Sequence, residues 1–184
     1  MSISATPLEI PDVLLLEPGV HVDSRGHFFE TWNNADFATA TGYDGGFVQD
    51  NQSRSAAGVI RGLHYQLPNP QGKLVRVTAG RAFVVAVDLR TGSATLSDHV
   101  TIELSAGNYK QLWVPPGFAH GFLSLEDPTD VVYKATAYFA PDCDHELRWN
   151  DPALGIDWPL GDVEPYLSDK DRVAPLLADA DMYN

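Results

Sequence analysis

The chain has a single cysteine, Cys143, among its 184 residues. An intramolecular disulfide is therefore excluded, as is usual for proteins of a reducing compartment. Long apolar runs are absent too, and none approaches the roughly 20 residues that a membrane-spanning helix needs. The amino-terminal segment lacks the basic leader and the apolar core of a secretion signal. We expect a cytoplasmic protein that has no membrane-spanning segment and no membrane partner.

Basic residues are also scarce: 12 Lys and Arg stand against 25 Asp and Glu, which gives a net charge of -13. A nucleic-acid partner is disfavoured, because it would require a basic stripe. Because basic residues are few, those inside the motifs are candidates for binding an anionic ligand such as a diphosphate, which would need them. Those inside the motifs described below are Arg25, Arg61, Lys73 and Lys170. The alternative for each is an ordinary ion pair with a surface carboxylate.

Linkers and low-complexity runs are missing as well, so we expect one domain over residues 1–184. From Val13 to about Tyr138, short β-rich runs are separated by Gly, Pro, Asn and Asp at intervals of about ten residues, which predicts a sandwich or small barrel. Only residues 35–41 and a tail over 168–182 are predicted to be helical. Ser168 is a plausible start for the tail helix.

The segment GVIRGLHYQ, residues 58–66, combines strand-like alternation with polar side chains. A period of two predicts one face with Arg61, Leu63 and Tyr65 and another with Ile60, Gly62, His64 and Gln66. His64 would then face the interior of the fold. Taken alone, such a histidine is more often a hydrogen-bonded core residue than a catalytic one.

Eight further motifs accompany this segment in order along the chain. They are HVDSRGHFFETW at 21–32, FVQDNQS at 47–53, QGKLVRV at 71–77, VAVDLR at 85–90, QLWVPPGFAHGFLSL at 111–125, VVYKATAYFAP at 131–141, RWNDPALGIDWP at 148–159 and LSDKD at 167–171. Together they resemble the dTDP-4-dehydrorhamnose 3,5-epimerase family, whose members act on nucleoside-diphosphate 4-keto-6-deoxysugars. The resemblance runs from about residue 8 to about residue 177.

The resemblance implies a mainly β fold, a cupin-type jelly-roll sandwich or barrel with a short C-terminal helical tail. PPGFAHGF resembles the second half of the cupin double motif, but RGLHYQ offers only His64 where cupin metal sites usually have a histidine pair. Three metal ligands are therefore not visible, and we expect no metal and no cofactor.

The implied activity is epimerisation of a dTDP-4-dehydro-6-deoxyhexose at C3 and C5, through proton removal and return. An epimerase that inverts C3 only or C5 only is the nearest alternative. A metal-dependent cupin enzyme and a non-catalytic sugar-nucleotide-binding cupin are alternatives of other classes.

The resemblance also assigns the chemistry to particular residues. A 4-keto group acidifies the hydrogens of the flanking carbons, so inversion needs a base, an acid on the other face and support for the enolate. His64 matches the base, Asp171 the carboxylate that orients it and Tyr133 the acid. Lys73 lies where a cation could stabilise the enolate oxygen, and His120 matches a sugar contact. Without the resemblance, Asp171 would be read as a first-turn helix residue and Tyr133 as strand packing.

Nucleotide binding is implied for a larger set. By resemblance it comprises Arg25, Glu30, Gln49, Asp50, Asn51, Arg61, Asp144 and Lys170, with Phe28 and Tyr138 stacking on the base. The two arginines would clamp the diphosphate, because guanidinium presents paired donors to phosphate oxygens. In the family the HFFE strand typically completes the site of a neighbouring subunit, so a homodimer is implied.

The chain departs from the family pattern at one position. Val84 stands where the pattern has an acid just before the VAVD strand. Valine cannot hydrogen-bond in the polar network around the sugar. We therefore expect an altered network at this point, with the base and the acid retained.

Overall fold

The computed structural model describes residues 3–184, which form thirteen β-strands, two short α-helices and two 3₁₀ turns. In chain order the strands and helices are β1 (Ile3–Pro7), β2 (Leu14–Pro18), β3 (His21–Asp23), β4 (Gly26–Phe28), α1 (Asn34–Thr41), β5 (Gln49–Ser55), β6 (Ile60–Gln66), β7 (Lys73–Ala79), β8 (Arg81–Asp88), β9 (His99–Ser105), β10 (Gln111–Val114), β11 (Phe118–Ser124), β12 (Thr129–Ala135), β13 (Asp144–Glu146) and α2 (Asp169–Arg172). The 3₁₀ turns are Pro141–Cys143 and Leu177–Asp179.

The strands form two large antiparallel sheets and a small hairpin. The first sheet has the order β1-β2-β10-β7-β12-β5, the second has the order β13-β6-β11-β8-β9, and β3 pairs with β4. Apolar side chains of both sheets, including Val75, Val84 and Phe122, form a buried cluster between them. The prediction of a mainly β, cupin-type sandwich is confirmed.

Two further apolar clusters cover the outer faces of the sheets. Residues of the carboxy-terminal segment, such as Leu147 and Trp158, pack with Val85 and Leu123 on the outside of the second sheet. Helix α1 places Phe37 in a cluster with other side chains on the outside of the first sheet. These covers leave the space between the sheets as the place for a ligand.

The predicted helix over residues 35–41 is confirmed, and it begins after Asn33, whose side chain accepts hydrogen bonds from Ala35 and Asp36. The predicted tail helix starts after Ser168 as expected but is wrong in its extent, because α2 ends at Arg172. Pro175 explains the early end, since proline lacks an amide hydrogen and disfavours a helical residue before it.

Strand β6 corrects the predicted face assignment. His120 of β11 pairs with His64 of β6, and Phe122 of β11 pairs with Arg61 of β6. The step between these two pairs is two residues on β11 but three residues on β6. The extra residue is a β-bulge that reverses the alternation. Arg61 therefore lines the same cavity as His64, whereas Leu63 and Tyr65 pack in the outer cluster.

Gly62 makes the bulge possible. Its φ is 125°, a conformation that residues with a Cβ rarely adopt. A Cβ at this position would lie 2.6 Å from the Cα of Gly121. The close approach of β6 and β11 thus depends on both glycines.

Across residues 3–184, the helices fall short of the length and apolarity needed to cross a bilayer.

Candidate active site

A cavity of about 550 Å³ opens beside the inner faces of the two sheets. Eight of the residues singled out in the sequence line it: Arg61, His64, Lys73, His120, Tyr133, Asp144, Lys170 and Asp171. They come from β6, β7, β11, β12, β13 and α2, so the whole sandwich contributes to one polar site. Their roles stay predictions, but their proximity is a feature of the fold.

His64 and Asp171 form a hydrogen-bonded pair, although 107 residues separate them in the chain. His64 Nε2 lies 2.6 Å from Asp171 Oδ1, and Asp171 Oδ2 accepts a hydrogen bond from the Ser168 hydroxyl at 2.7 Å. Burial alone would raise the pKa of Asp171, but the bonds from His64 and Ser168 outweigh it and lower that pKa. An ionised Asp171 requires the proton on His64 Nε2, which leaves Nδ1 as the basic nitrogen.

Tyr133 lies on the opposite wall of the cavity, because β12 belongs to the first sheet and β6 to the second. Burial is the main reason why the pKa of Tyr133 is raised above its ordinary value. The phenol therefore keeps its proton at neutral pH. A ligand between the walls would meet a base from one sheet and a proton donor from the other.

Lys73 is buried beside this pair, and its Nζ donates to the backbone oxygen of His64 at 3.2 Å. Burial lowers the pKa of Lys73 to about 8. His120 pairs with His64 across β11 and β6. Burial, followed by the charges that Lys73 and His64 carry when they are protonated, lowers the pKa of His120 well below its ordinary value. At neutral pH the site therefore holds a cationic lysine and a neutral imidazole.

Two further cations line the cavity. Lys170 contacts Asp144 at 2.7 Å and Glu146 at 2.9 Å, and these carboxylates raise its pKa despite its partial burial. The guanidinium of Arg61 donates to the Ser55 hydroxyl at 3.0 Å and to the backbone oxygen of Arg54 at 3.4 Å. An anionic group at the cavity could bind to both cations.

The structure places the other predicted binding residues outside this cavity. Arg25 and Phe28 belong to the β3–β4 hairpin, where Arg25 pairs with Asp23 at 2.6 Å and Phe28 is 62% exposed. Glu30 follows the hairpin and lines a small pocket beside α1. The remaining members of this set are Gln49, Asp50 and Asn51 on β5 and Tyr138 after β12.

Those β5 residues are engaged locally. Gln49 donates to Asn51 at 2.9 Å, and Asp50 pairs with Lys134 at 2.9 Å. Asp50 and Asn51 line a separate cleft of about 370 Å³. Tyr138 is 70% exposed and precedes Phe139, which lines the main cavity. A single chain therefore does not assemble the whole predicted nucleotide site.

Several lining residues had not been singled out from the sequence. They are Ser53, Val59, Ile60, Gln71, Phe122, Phe139, Tyr166, Leu167 and Ser168. Ser53 and Phe122 could have been found, because they follow Asn51 on β5 and His120 on β11 by two residues and so share the faces of those residues.

No group of three or more His, Cys, Asp and Glu side chains within the described range 3–184 is arranged to hold a metal ion. The two neighbouring imidazoles of His64 and His120 have the ammonium of Lys73 beside them, an environment that disfavours a cation. The donor set of the cavity is therefore suited to an anionic ligand.

A family model described as dTDP-4-dehydrorhamnose 3,5-epimerase matches residues 7–179 of the chain. The chain is 54% identical over 181 residues to the dTDP-4-dehydrorhamnose 3,5-epimerase of Pseudomonas aeruginosa, and the alignment covers 98% of this chain and 99% of that protein. Nearly the full length of the chain is thus similar to a curated enzyme.

Solved structures show the same similarity. A dTDP-6-deoxy-D-glucose-3,5-epimerase of Legionella pneumophila, in complex with dTDP-4-keto-L-rhamnose, matches with a TM-score of 0.94 and 44% identity, over 97% of this chain and 95% of that one. The dTDP-4-dehydrorhamnose 3,5-epimerase of Bacillus anthracis, with TDP and PPi bound, matches with a TM-score of 0.91 and 46% identity, over 96% of this chain and 100% of that one.

Proposed function

The chain belongs to the dTDP-4-dehydrorhamnose 3,5-epimerase family, and from this premise we propose that it is a single-domain isomerase that converts dTDP-4-dehydro-6-deoxy-D-glucose to dTDP-4-dehydro-L-rhamnose. Inversion takes place at C3 and C5, the two carbons beside the ketone. The observation that carries the proposal is the His64–Asp171 pair facing Tyr133 across one cavity.

The first step is removal of a proton by His64. Its free Nδ1 accepts the proton from C3 or C5, and the electron pair of the broken C–H bond moves toward the ketone to form an enolate. Asp171 holds the ring through Nε2 and stabilises the imidazolium that forms, since it is ionised and 2.6 Å away. Nothing in this step requires a redox change.

Lys73 supports the enolate. Negative charge develops on the ketone oxygen as the proton leaves, and an ammonium in a buried site stabilises that charge more strongly than it would in water. Lys73 is 7% exposed, so its charge is little screened. The stabilisation acts on the enolate more than on the neutral ketone.

Tyr133 completes each inversion. Its phenol donates a proton to the carbon from the face opposite His64, and the enolate electrons form the new C–H bond. Exchange with water then restores the phenol and the free imidazole. The same base and acid serve both carbons once the sugar presents each in turn.

The pH dependence of the reaction follows from Lys73. Only the protonated amine stabilises the enolate, and its pKa is about 8, so kcat/KM should fall as the pH rises through about 8. The phenol of Tyr133 does not account for this loss, because its pKa is raised above 10. The measurement is kcat/KM of the wild type and of Lys73→Arg between pH 6 and pH 10. An alkaline loss of the same midpoint in Lys73→Arg would contradict the assignment.

The nucleotide part of the site is proposed to span two subunits of a homodimer. The cavity supplies Arg61 and Lys170 for the diphosphate, while the β3–β4 hairpin carries Arg25 and Phe28 away from the cavity of its own chain. Val22 on this hairpin is 75% exposed. A hairpin that exposes the apolar side chains of Val22 and Phe28 is suited to packing against a second copy of the chain.

Mixed dimers test this arrangement. Arg25→Ala and His64→Ala should each be weakly active, but co-expression of the two variants should restore activity, because a heterodimer has one site with an intact His64 and an intact Arg25 from the other chain. The expected activity is up to about half the wild-type value per heterodimer, from the count of intact sites. Activity no greater than the sum of the two variants would show that Arg25 acts on its own chain or not at all.

The function itself is tested by incubating the purified protein with dTDP-4-dehydro-6-deoxy-D-glucose in D₂O and recording the mass of the sugar nucleotide. Uptake of two deuterons at the carbons beside the ketone is expected. Uptake of one deuteron would indicate the single-centre alternative, and uptake of none would contradict the proposal.

A further inference from the structure

His120 has a buried ring nitrogen without a partner. Its Nε2 is enclosed by protein and makes no hydrogen bond among residues 3–184, although the residue lines the cavity and is only 6% exposed. Buried polar atoms in folded proteins almost always have a partner, because an unsatisfied one is destabilising. The isolation of Nε2 therefore needs a cause.

The neighbouring strand β8 supplies that cause. His120 pairs with Ala86, and the next pair on the same face is Phe122 with Val84. Val84 and Ala86 belong to the apolar cluster between the sheets, and both are fully buried. Val84 and Asp88 are the two residues of β8 that lie diagonal to His120, a separation that long polar side chains can bridge. The carboxylate of Asp88 is already bound by Arg90, Ser93 and Thr95. The side chain of Val84 has no polar atom, so neither diagonal position offers His120 a partner.

The other neighbours of His120 oppose a positive charge on its ring. The charged and titratable groups that share its cavity are Arg61, His64, Lys73, Tyr133, Asp144, Tyr166, Lys170 and Asp171. Burial, Lys73 and His64 together lower the pKa of His120, while Asp171 and Asp144 are already paired with His64 and Lys170. His120 is therefore a neutral imidazole, with one N–H and one lone pair.

We propose that Val84 holds His120 in the tautomer whose proton is on Nδ1, so that this residue presents a hydrogen-bond donor to the sugar of the substrate. A proton on Nε2 would bury an N–H group with nothing to accept it. A proton on Nδ1 leaves only a lone pair against the apolar wall and directs the donor to the ligand side of the ring. Val84 is thus a positioning residue that acts through His120. The identity of the ligand rests on the proposed function.

Residue 84 accordingly decides what His120 offers to the sugar. An acceptor at position 84 would accept a hydrogen bond from a protonated Nε2, and the lone pair of the neutral ring would then lie on Nδ1. A carboxylate at the same position would also favour the doubly protonated ring. The valine of this chain selects a neutral donor over both alternatives, which distinguishes its sugar site from one with an acid at this position.

The tautomer can be observed directly by ¹⁵N NMR of the histidine rings in the ligand-free protein at pH 7. Comparison with His120→Gln assigns the signals of His120. The wild type should show a protonated Nδ1 and an unprotonated Nε2. A protonated Nε2, alone or together with Nδ1, would overturn the proposal, and this measurement does not need an active enzyme.

Two substitutions at one position separate the contributions. Val84→Asp offers only acceptor oxygens, so it should place a proton on Nε2 and raise the pKa of His120 by about 1–3 units, whereas Val84→Ala should leave the proton on Nδ1. An unprotonated Nε2 in a folded Val84→Asp variant would contradict the role of Val84. If Val84→Asp does not fold, the wild-type spectrum still tests the tautomer.

Ligand binding tests the donor role. dTDP-glucose has no ketone and cannot react, so it reports on binding alone. The Nδ1–H signal of the wild type should shift with dTDP-glucose and not with dTDP. In His120→Phe, which keeps a ring but has no donor, kcat/KM should fall about tenfold, the loss expected for one hydrogen bond, whereas in Val84→Ala it should fall less than threefold. An Nδ1–H signal that ignores dTDP-glucose would refute the donor role. Absence of epimerisation with the expected ligand-free spectra would instead refute the proposed function.

Discussion

The variant His64→Ala is expected to lose about 10³-fold in kcat, because a general base typically contributes 10²–10⁴-fold. Loss of the imidazole also removes the partner of Asp171, but it leaves Arg61 and Lys170 in place. The affinity for dTDP should therefore change little. Exchange of the sugar hydrogens with D₂O should fall in parallel with turnover, since both begin with the same proton removal.

The control for this variant is His99→Ala. His99 lies on β9, the edge strand of the second sheet on the side away from β6, and does not line the cavity. Its substitution should change kcat less than twofold. Turnover of His64→Ala within tenfold of the wild type, with dTDP affinity unchanged, would remove His64 from the role of base.

The second large effect is expected for Tyr133→Phe. In the proposed mechanism the phenol returns the proton on the face opposite His64, so its loss should lower product formation by about 10²–10³-fold. The enolate can still form, because His64, Asp171 and Lys73 are intact. Hydrogen exchange at the carbon that His64 deprotonates should therefore fall less than tenfold. This separation of exchange from inversion is the signature of a lost acid.

A matched control is Tyr43→Phe. Tyr43 packs in the apolar cluster outside the first sheet, and its hydroxyl makes only a long 3.5 Å contact with Gly46. Its activity should match the wild type. Equal losses of exchange and inversion in Tyr133→Phe would mean that Tyr133 positions the sugar and does not donate the proton.

How much of the site could be predicted from the sequence depends on how far apart in the chain the interacting residues lie. Periodicity and turn residues predict the sandwich, since they reflect local geometry. The contact between His64 and Asp171 joins β6 to a helix near the end of the chain, and no local pattern contains it. Its prediction came from the resemblance to a family. Tyr133 entered the prediction in the same way.

The face assignment of β6 shows why a simple period fails. Alternation assumes equal numbers of residues on both paired strands, and the extra residue of β6 breaks that assumption. Gly62 was the available signal, since an isolated glycine in a strand often marks a bulge. Arg61 therefore lines the cavity together with His64, although a period of two predicts that these two side chains face opposite ways.

Two other features could not be predicted fully from the sequence: the length of the tail helix and the structural effect of Val84. Acidic residues after Ser168 correctly predicted where α2 begins, but Pro175 ends the helical region early. Val84 was visible in the sequence as a departure from the family pattern. Its consequence, the isolated Nε2 of His120, appears only when β8 and β11 are paired.

The central claim is that one base and one acid on opposite walls invert both carbons beside the ketone. Proton NMR of dTDP-4-dehydro-6-deoxy-D-glucose with the purified protein in D₂O tests it most directly, because it reports deuterium and configuration at C3 and C5 separately. The account predicts deuterium at both carbons and the L-rhamno configuration of the product. Deuterium at both carbons with retained configuration, or inversion at one carbon only, would contradict it.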